Sequence, residues 1–347
     1  MSVAEVHWVT RLVDKGVWAP FWLGLSIAIG YLLIRCAFDG FFLATWGFPQ
    51  GFDPLWRSAQ WWTELVNATL LGYVPAVLVI AHRGIDRDLS QLRRWLPQND
   101  AEVADIRAAA IHPTGLAGRA FKLSGLVGGF VLVFVDPSLS LGAERSPTNP
   151  AFMWPLLRIP VMAWLFFTLI ASDLNATRTY LRVGRNLIEV DLLDVQSLSP
   201  FARRGLRSAL TWVLFSVIFS LFWLGEDTAS RQNPLLLAVV LAMATAAFVV
   251  PLVGVHTNIR SVKRLELDRL RDEIRIERAA VTNKLSDENV SPRLANLIAY
   301  YQLIDQVREW PIDAVNLLKF FMYLLIGLGS WLGGAVVERL LDRTLGT

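Results

Sequence analysis

Cysteine, histidine and charge are what this chain has least of. Cys36 is the only cysteine in 347 residues, so no intrachain disulfide can form. The preceding Leu33–Ile34–Arg35 puts arginine where a lipoprotein signal needs a small residue, so lipidation of Cys36 is not expected. The four histidines, His7, His82, His112 and His256, are scattered. There is no His-Glu-x-x-His pair, no P-loop, no cysteine cluster and no Gly-x-Ser-x-Gly elbow. Neither an enzyme nor a metal or other cofactor is therefore expected. His82 and His256 fall at the inner ends of predicted spans, where an interfacial side chain is a better expectation than a metal pair. Charged residues make up only 18% of the chain, against 54% hydrophobic. The formal net charge of +3 and a pI near 9.2 reflect basic loops rather than a nucleic-acid surface, and no nucleic-acid partner is expected.

What is abundant is apolar sequence, gathered in blocks; mean hydropathy is +0.43. A helix needs about 17–25 mostly apolar residues to cross a hydrocarbon core of about 30 Å. Windows of that kind lie near 17–38, 61–82, 123–141, 152–174, 209–225, 234–256 and 314–337. The expected fold is an all-α polytopic membrane protein with about seven transmembrane helices. Glu5, Asp14 and the lack of a small-residue cleavage site mark the first span as retained rather than cleaved. No internal repeat is evident, so an inverted-repeat transporter finds no support.

Orientation follows from the basic residues, which stay on the cytosolic side of short loops. Of the 33 Lys and Arg, only Arg57, Arg145, Arg231, Arg339 and Arg343 fall in the alternate loops and the tail. Arg35, Arg158 and Lys319 lie within spans, and the rest fall in the N-terminus and loops 83–122, 175–208 and 257–313. The N-terminus is expected in the cytosol and the C-terminus outside, in a bacterial inner membrane. Trp18, Trp22, Trp212 and Trp310 near inner span ends, with Trp56, Trp61, Trp62, Trp154 and Trp223 near outer ones, fit interfacial belts.

Three regions are expected: residues 1–256 with six spans and loops 83–122 and 175–208, a cytosolic helical hairpin over 257–313, and a last span with an outer tail over 314–347. Residues 3–15 alternate apolar and polar positions as an interfacial helix would. The aromatic segment 39–60 is expected to dip into the outer interface. Residues 187–194 mix β-branched and acidic types, which suits a short strand or a re-entrant turn. In the hairpin, Leu267, Leu270, Ile274 and Val281 on one arm match Leu294, Leu297 (or Ile298), Tyr301 and Ile304 on the other. Ser291–Pro292 reads as a helix start. Arg203, Arg204 and Arg207, like Lys263 and Arg264, read as a cytosolic rim attracting anionic headgroups.

Charges inside spans are costly unless paired or wetted. Arg35, Glu64, Asp136 and Arg158 sit at similar depth in the outer halves of four spans, and Asn67 shares a helix face with Glu64. They read either as an outer ligand pocket or as ion pairs and snorkelling side chains. The glycines are equally two-sided. Gly125-x-x-x-Gly129 and, in the last span, Gly329-x-x-x-Gly333 with Ser330-x-x-x-Gly334 allow close helix packing. In the last span they also suit a path lined by Asn316, Lys319, Tyr323, Gly327, Ser330, Gly334 and Glu338, with Pro311 as the hinge to the hairpin.

Two stretches carry a resemblance: Val190–Asp191–Leu192–Leu193–Asp194 with Pro200–Phe201–Ala202–Arg203–Arg204–Gly205–Leu206–Arg207, and Val307–Arg308–Glu309–Trp310–Pro311 with Gly329–Ser330–Trp331–Leu332–Gly333–Gly334. They resemble an uncharacterised family of bacterial multi-pass membrane proteins. In topology alone, the chain resembles the insect odorant and gustatory receptor-like seven-helix channels. That resemblance implies a homo-oligomer, taken as a tetramer, with the last helix lining a ligand-gated pore. The alternative expectation is a non-conducting membrane sensor or scaffold that docks a cytosolic protein through residues 257–309.

Overall fold

A computed structural model describes residues 16, 18–46, 55, 61–111, 116–135, 150–187, 191–224, 234–283 and 292–345. The described residues are helical, with no strand among them. The helices are α1 (Ala19–Trp46), α2 (Trp61–Gln91), α3 (Asp100–Ile111), α4 (Leu116–Val135), α5 (Pro150–Arg185), α6 (Ser199–Ser220), α7 (Pro234–Asn283), α8 (Pro292–Asp305) and α9 (Ala314–Leu345). Single 3-10 turns continue α2 over Leu92–Trp95, precede α6 over Val195–Leu198 and follow it over Leu221–Leu224.

Each of the seven predicted spans overlaps a long helix, but among the described residues five helices are long and apolar enough to cross a membrane: α1, α2, α4, α5 and α7. In α6, Arg203, Arg204 and Arg207 occupy the first turns and leave a shorter apolar stretch. In α9 the apolar stretch over the described residues is Ala314–Ser330. The helix under the expected 123–141 span starts earlier, at Leu116, and is described as far as Val135. Segment 39–60 begins as helix, since α1 runs on to Trp46. In place of a strand, residues 191–194 form turns that lead into the 3-10 helix before α6. Residues 3–15 and 188–190 lie outside the described ones.

Helices α2, α5, α6 and α7 make the centre of the bundle. α1 packs on α2, α4 on α5, and α9 on α6. Burial follows that order: 56% of the apolar window of α2 is buried, against 17% for α1 and for α4. The two outer helices therefore present apolar side chains outward (Phe21, Leu33 and Ile34 on α1; Leu123, Val127 and Val131 on α4), as a lipid-facing surface does. Central α2 is tied to α6 by polar side chains reaching backbone oxygens. Tyr73 OH donates to Thr211 O at 2.7 Å, and Trp62 Nε1 to Leu221 O at 2.6 Å.

Glycine sets the closest crossings. A Cβ on Gly24 would lie 2.9 Å from the carbonyl oxygen of Gly72, so α1 and α2 meet backbone to backbone. Gly125 and Gly129 do the same for α4 and α5; a Cβ on Gly129 would sit 2.5 Å from Pro160 Cα. The Gly-x-x-x-Gly spacing is used here for packing.

Helices α7 and α8 form the expected antiparallel hairpin. Leu267, Leu270 and Ile304 are buried in its seam, and Leu297 and Tyr301 pack against them. Val281 lies in α7, but its side chain is outside the described ones. α8 starts at Pro292, as the helix-start signal suggests. Lys263 Nζ donates to the carbonyls of Asp305 (2.8 Å) and Val307 (3.0 Å), meeting the bare acceptors at the end of α8.

Candidate functional site

Two charged layers cross the bundle. The outer one forms where α1, α2 and α5 meet, centred on Glu64, which is only 4% exposed. Its carboxylate accepts hydrogen bonds from Tyr31 OH, from Trp154 Nε1 at 3.1 Å and from Arg158 Nη1 at 2.8 Å. Arg35 approaches the same carboxylate, with Nε 3.8 Å from Oε1. One turn along α1, Arg35 Nη1 donates to Asp39, and the other Asp39 oxygen accepts the Leu55 N–H at 2.9 Å. The Arg35 guanidinium also lies 5.1 Å from the Trp154 ring centroid. Two acids and two arginines thus close a neutral, buried set.

The structure brings together Arg35, Glu64 and Arg158, as their shared depth suggests, and buries Asn67 one turn from Glu64. Asp136 lies outside the described residues. Sequence reasoning passed over Tyr31, Asp39 and Trp154. Tyr31, Arg35 and Asp39 sit four residues apart on one face of α1, a spacing that was there to be read. Every charge described in the layer is partnered by another side chain of the protein.

The inner layer joins α2, α5 and α6. Asp88 has no exposed surface and accepts from Tyr180 OH at 2.9 Å and from Arg207. Asp173 accepts from Arg204 Nη2 at 2.8 Å, Ser208 Oγ at 2.5 Å and Trp212 Nε1 at 2.9 Å. Gly84 makes room for Arg207: a Cβ there would lie 2.8 Å from the guanidinium carbon. Arg204 and Arg207 are therefore interior partners of aspartates rather than a lipid-facing rim. At about 1.5 Å per residue, Glu64 and Asp88 are separated by about 36 Å along α2, so the layers lie near opposite ends of the helix.

Helix α9 has an inward and an outward face. Phe320 stacks on Phe248 of α7 with ring centroids 4.3 Å apart. Gly327 is buried against Val213 and Leu241, and Tyr323 packs beside them. Asn316 and Ser330 are half-buried at the borders of this face, and Ser330 Oγ donates to Gly327 O at 2.8 Å. Lys319 points outward. The surroundings of Gly334 and the side chain of Glu338 are outside the described ones. The outward face carries Lys319, Met322, Ile326, Gly329 and Gly333 at alternating spacings of three and four. Among the described residues nothing lies within 4 Å of where a Cβ on Gly329 or Gly333 would be.

The joint between hairpin and α9 is pinned. The His256 ring stacks on Trp310 with centroids 4.2 Å apart, and its Nδ1 is 3.2 Å from the carbonyl oxygen of Glu309. Pro311 is buried directly behind. Among the described residues no cluster of His, Cys, Asp and Glu is arranged to hold a metal ion. No protein-family model, curated protein or solved structure matches the chain.

Proposed function

We propose that this chain is a homo-oligomeric membrane channel of the bacterial inner membrane, opened by a ligand, with α9 at the oligomer axis. The observation that carries it is the one-sided packing of α9. A helix of 32 residues is held by its own subunit along Phe320, Tyr323 and Gly327, while on the Lys319–Met322–Ile326–Gly329–Gly333 stripe Met322 and Ile326 are each 50% exposed and the two glycines meet nothing within 4 Å among the described residues. Small residues at helical spacing let neighbouring copies approach closely. An apolar ring of Met322 and Ile326 is the kind of constriction that gates by dewetting, and Lys319 supplies a charge at the inner mouth. α6 and α9 count as the fifth and seventh spans, with the N-terminus in the cytosol and the C-terminus outside. The topological resemblance to the insect receptor-like channels supports a tetramer.

Full-length protein reconstituted in planar bilayers is expected to give unitary currents, and Lys319→Glu to shift their reversal potential toward cation selectivity. A protein that is strictly monomeric in lipid nanodiscs and passes no current in planar bilayers would overturn the proposal.

A second reading rests on the hairpin surface. Leu265 and Ile276 are 72% and 69% exposed on one face of α7, beyond what the α7–α8 seam consumes. That face suits docking of a cytosolic protein. Leu265→Glu with Ile276→Glu would abolish such docking and leave conductance intact.

A further inference from the structure

Between α2, α5 and α6 lies a cavity of about 20 Å³, enough for one water molecule. Most of its wall is apolar, but Ser172, Asp173, Arg204 and Thr211 also line it. Arg204 is 3% exposed, and its Nε–H has no hydrogen-bond partner among the described residues, although Nη2 of the same guanidinium serves Asp173. On the acceptor side, Asp173 Oδ2 receives only the Trp212 N–H and retains capacity for a second donor. Thr211 Oγ1 donates to Arg207 O at 3.0 Å, which leaves its lone pairs free.

The walls select the occupant. Their two charges cancel, so a bare ion entering would add an uncompensated charge to a low-dielectric site. A space of that size suits a water molecule. A dry cavity would leave a guanidinium N–H desolvated with nothing to accept it, which buried polar groups avoid. We propose that this cavity is a built binding site for a single water molecule, which accepts from Arg204 Nε and donates to Asp173 and Thr211. The Asp173–Arg204 pair is then a wetted ion pair, about 22 Å along α5 from Arg158. The site stands independently of any conduction along α9.

Ala176 lines the cavity from α5 and is 2% exposed. Ala176→Thr and Ala176→Val add nearly equal volume there and differ by a hydroxyl for a methyl. Melting temperatures of the full-length variants in nanodiscs are the readout. With water bound, valine expels it and strands Arg204 Nε, while the threonine hydroxyl takes over its bonds, so the Thr variant melts several degrees above the Val variant. A Val variant melting at or above the Thr variant overturns the proposal. Should neither variant fold, a structure of the unmodified protein that resolves ordered waters decides it. Density within hydrogen-bond reach of Arg204 Nε supports the site; an empty cavity overturns it.

Discussion

Glu64 makes more side-chain hydrogen bonds than any other described side chain in the outer layer, and it does so where water is scarce. Removing it would leave two buried arginines, a tyrosine and a tryptophan without their common acceptor. Breaking one side of a buried ion pair costs about 3–5 kcal/mol. Glu64→Ala is expected to destabilise the protein by an amount in that range. Glu64→Gln keeps an acceptor oxygen, so its loss should be smaller; thermal unfolding in nanodiscs measures both. The Asp88–Arg207 pair is expected to be non-additive. Asp88→Asn and Arg207→Met should each lower the melting temperature, and the double variant should lose less than the two losses summed, because it strands no charge. Charges inside spans were legible from hydropathy alone, and with them Arg35, Glu64 and Arg158. Asp173, Arg204 and Arg207 were not recognised as partners, because adjacent arginines at a span end look the same whether they face lipid or a neighbouring helix. Which acid each arginine meets depends on how α6 is rotated against α2 and α5.

Among elements, α1 and α4 are held to the bundle by backbone approach at glycine. Gly72→Leu has no room at the α1–α2 crossing and is expected to displace α1, breaking the Arg35–Glu64 contact with it. Chemical cross-linking between cysteines placed on α1 and α2 would report the separation. The Gly125/Gly129 pair stood out by spacing, whereas Gly24 and Gly72 are lone glycines on different helices and nothing in either segment singles them out. The hairpin shows the reverse balance. Its heptad-like leucines and its starting proline both pointed to the α7–α8 seam that forms. Lys263 at the far end was read as a lipid-attracting surface charge; it closes the C-terminus of α8 instead. Lys263→Met should leave those carbonyls without a donor and raise hydrogen exchange across α8 while sparing the buried half of α7.

For the whole molecule, the basic-residue asymmetry leads to a topology that cysteine labelling can test in a Cys36→Ser background. Ile276→Cys should react with an impermeant maleimide only after the cells are permeabilised, and Arg343→Cys should react in intact spheroplasts. Labelling of both from the same side would remove the odd number of spans, and α9 would then be the helix to exclude, because it alone of the expected spans lies between the two positions. The apolar stretch of α6 is also short, and α2, α7 and α9 pack against it. Hydropathy windows grade helices by composition, so they cannot separate a helix that faces lipid from one that faces protein. Both are apolar, and only the surrounding helices distinguish them.

Composition and spacing by themselves determined that this chain is helical, that its apolar blocks are long enough to cross a membrane, that a helical hairpin precedes the last helix, and that a few charges sit at unusual depth. These properties are local, because helix length, hydropathy and turn residues act over a few neighbours. Tertiary structure alone decided which arginine meets which aspartate, which face of α9 is left uncovered and where a water-sized space remains. Those outcomes depend on helix rotation and on crossing points set by single glycines, which bring together residues more than a hundred positions apart, such as Asp88 and Arg207.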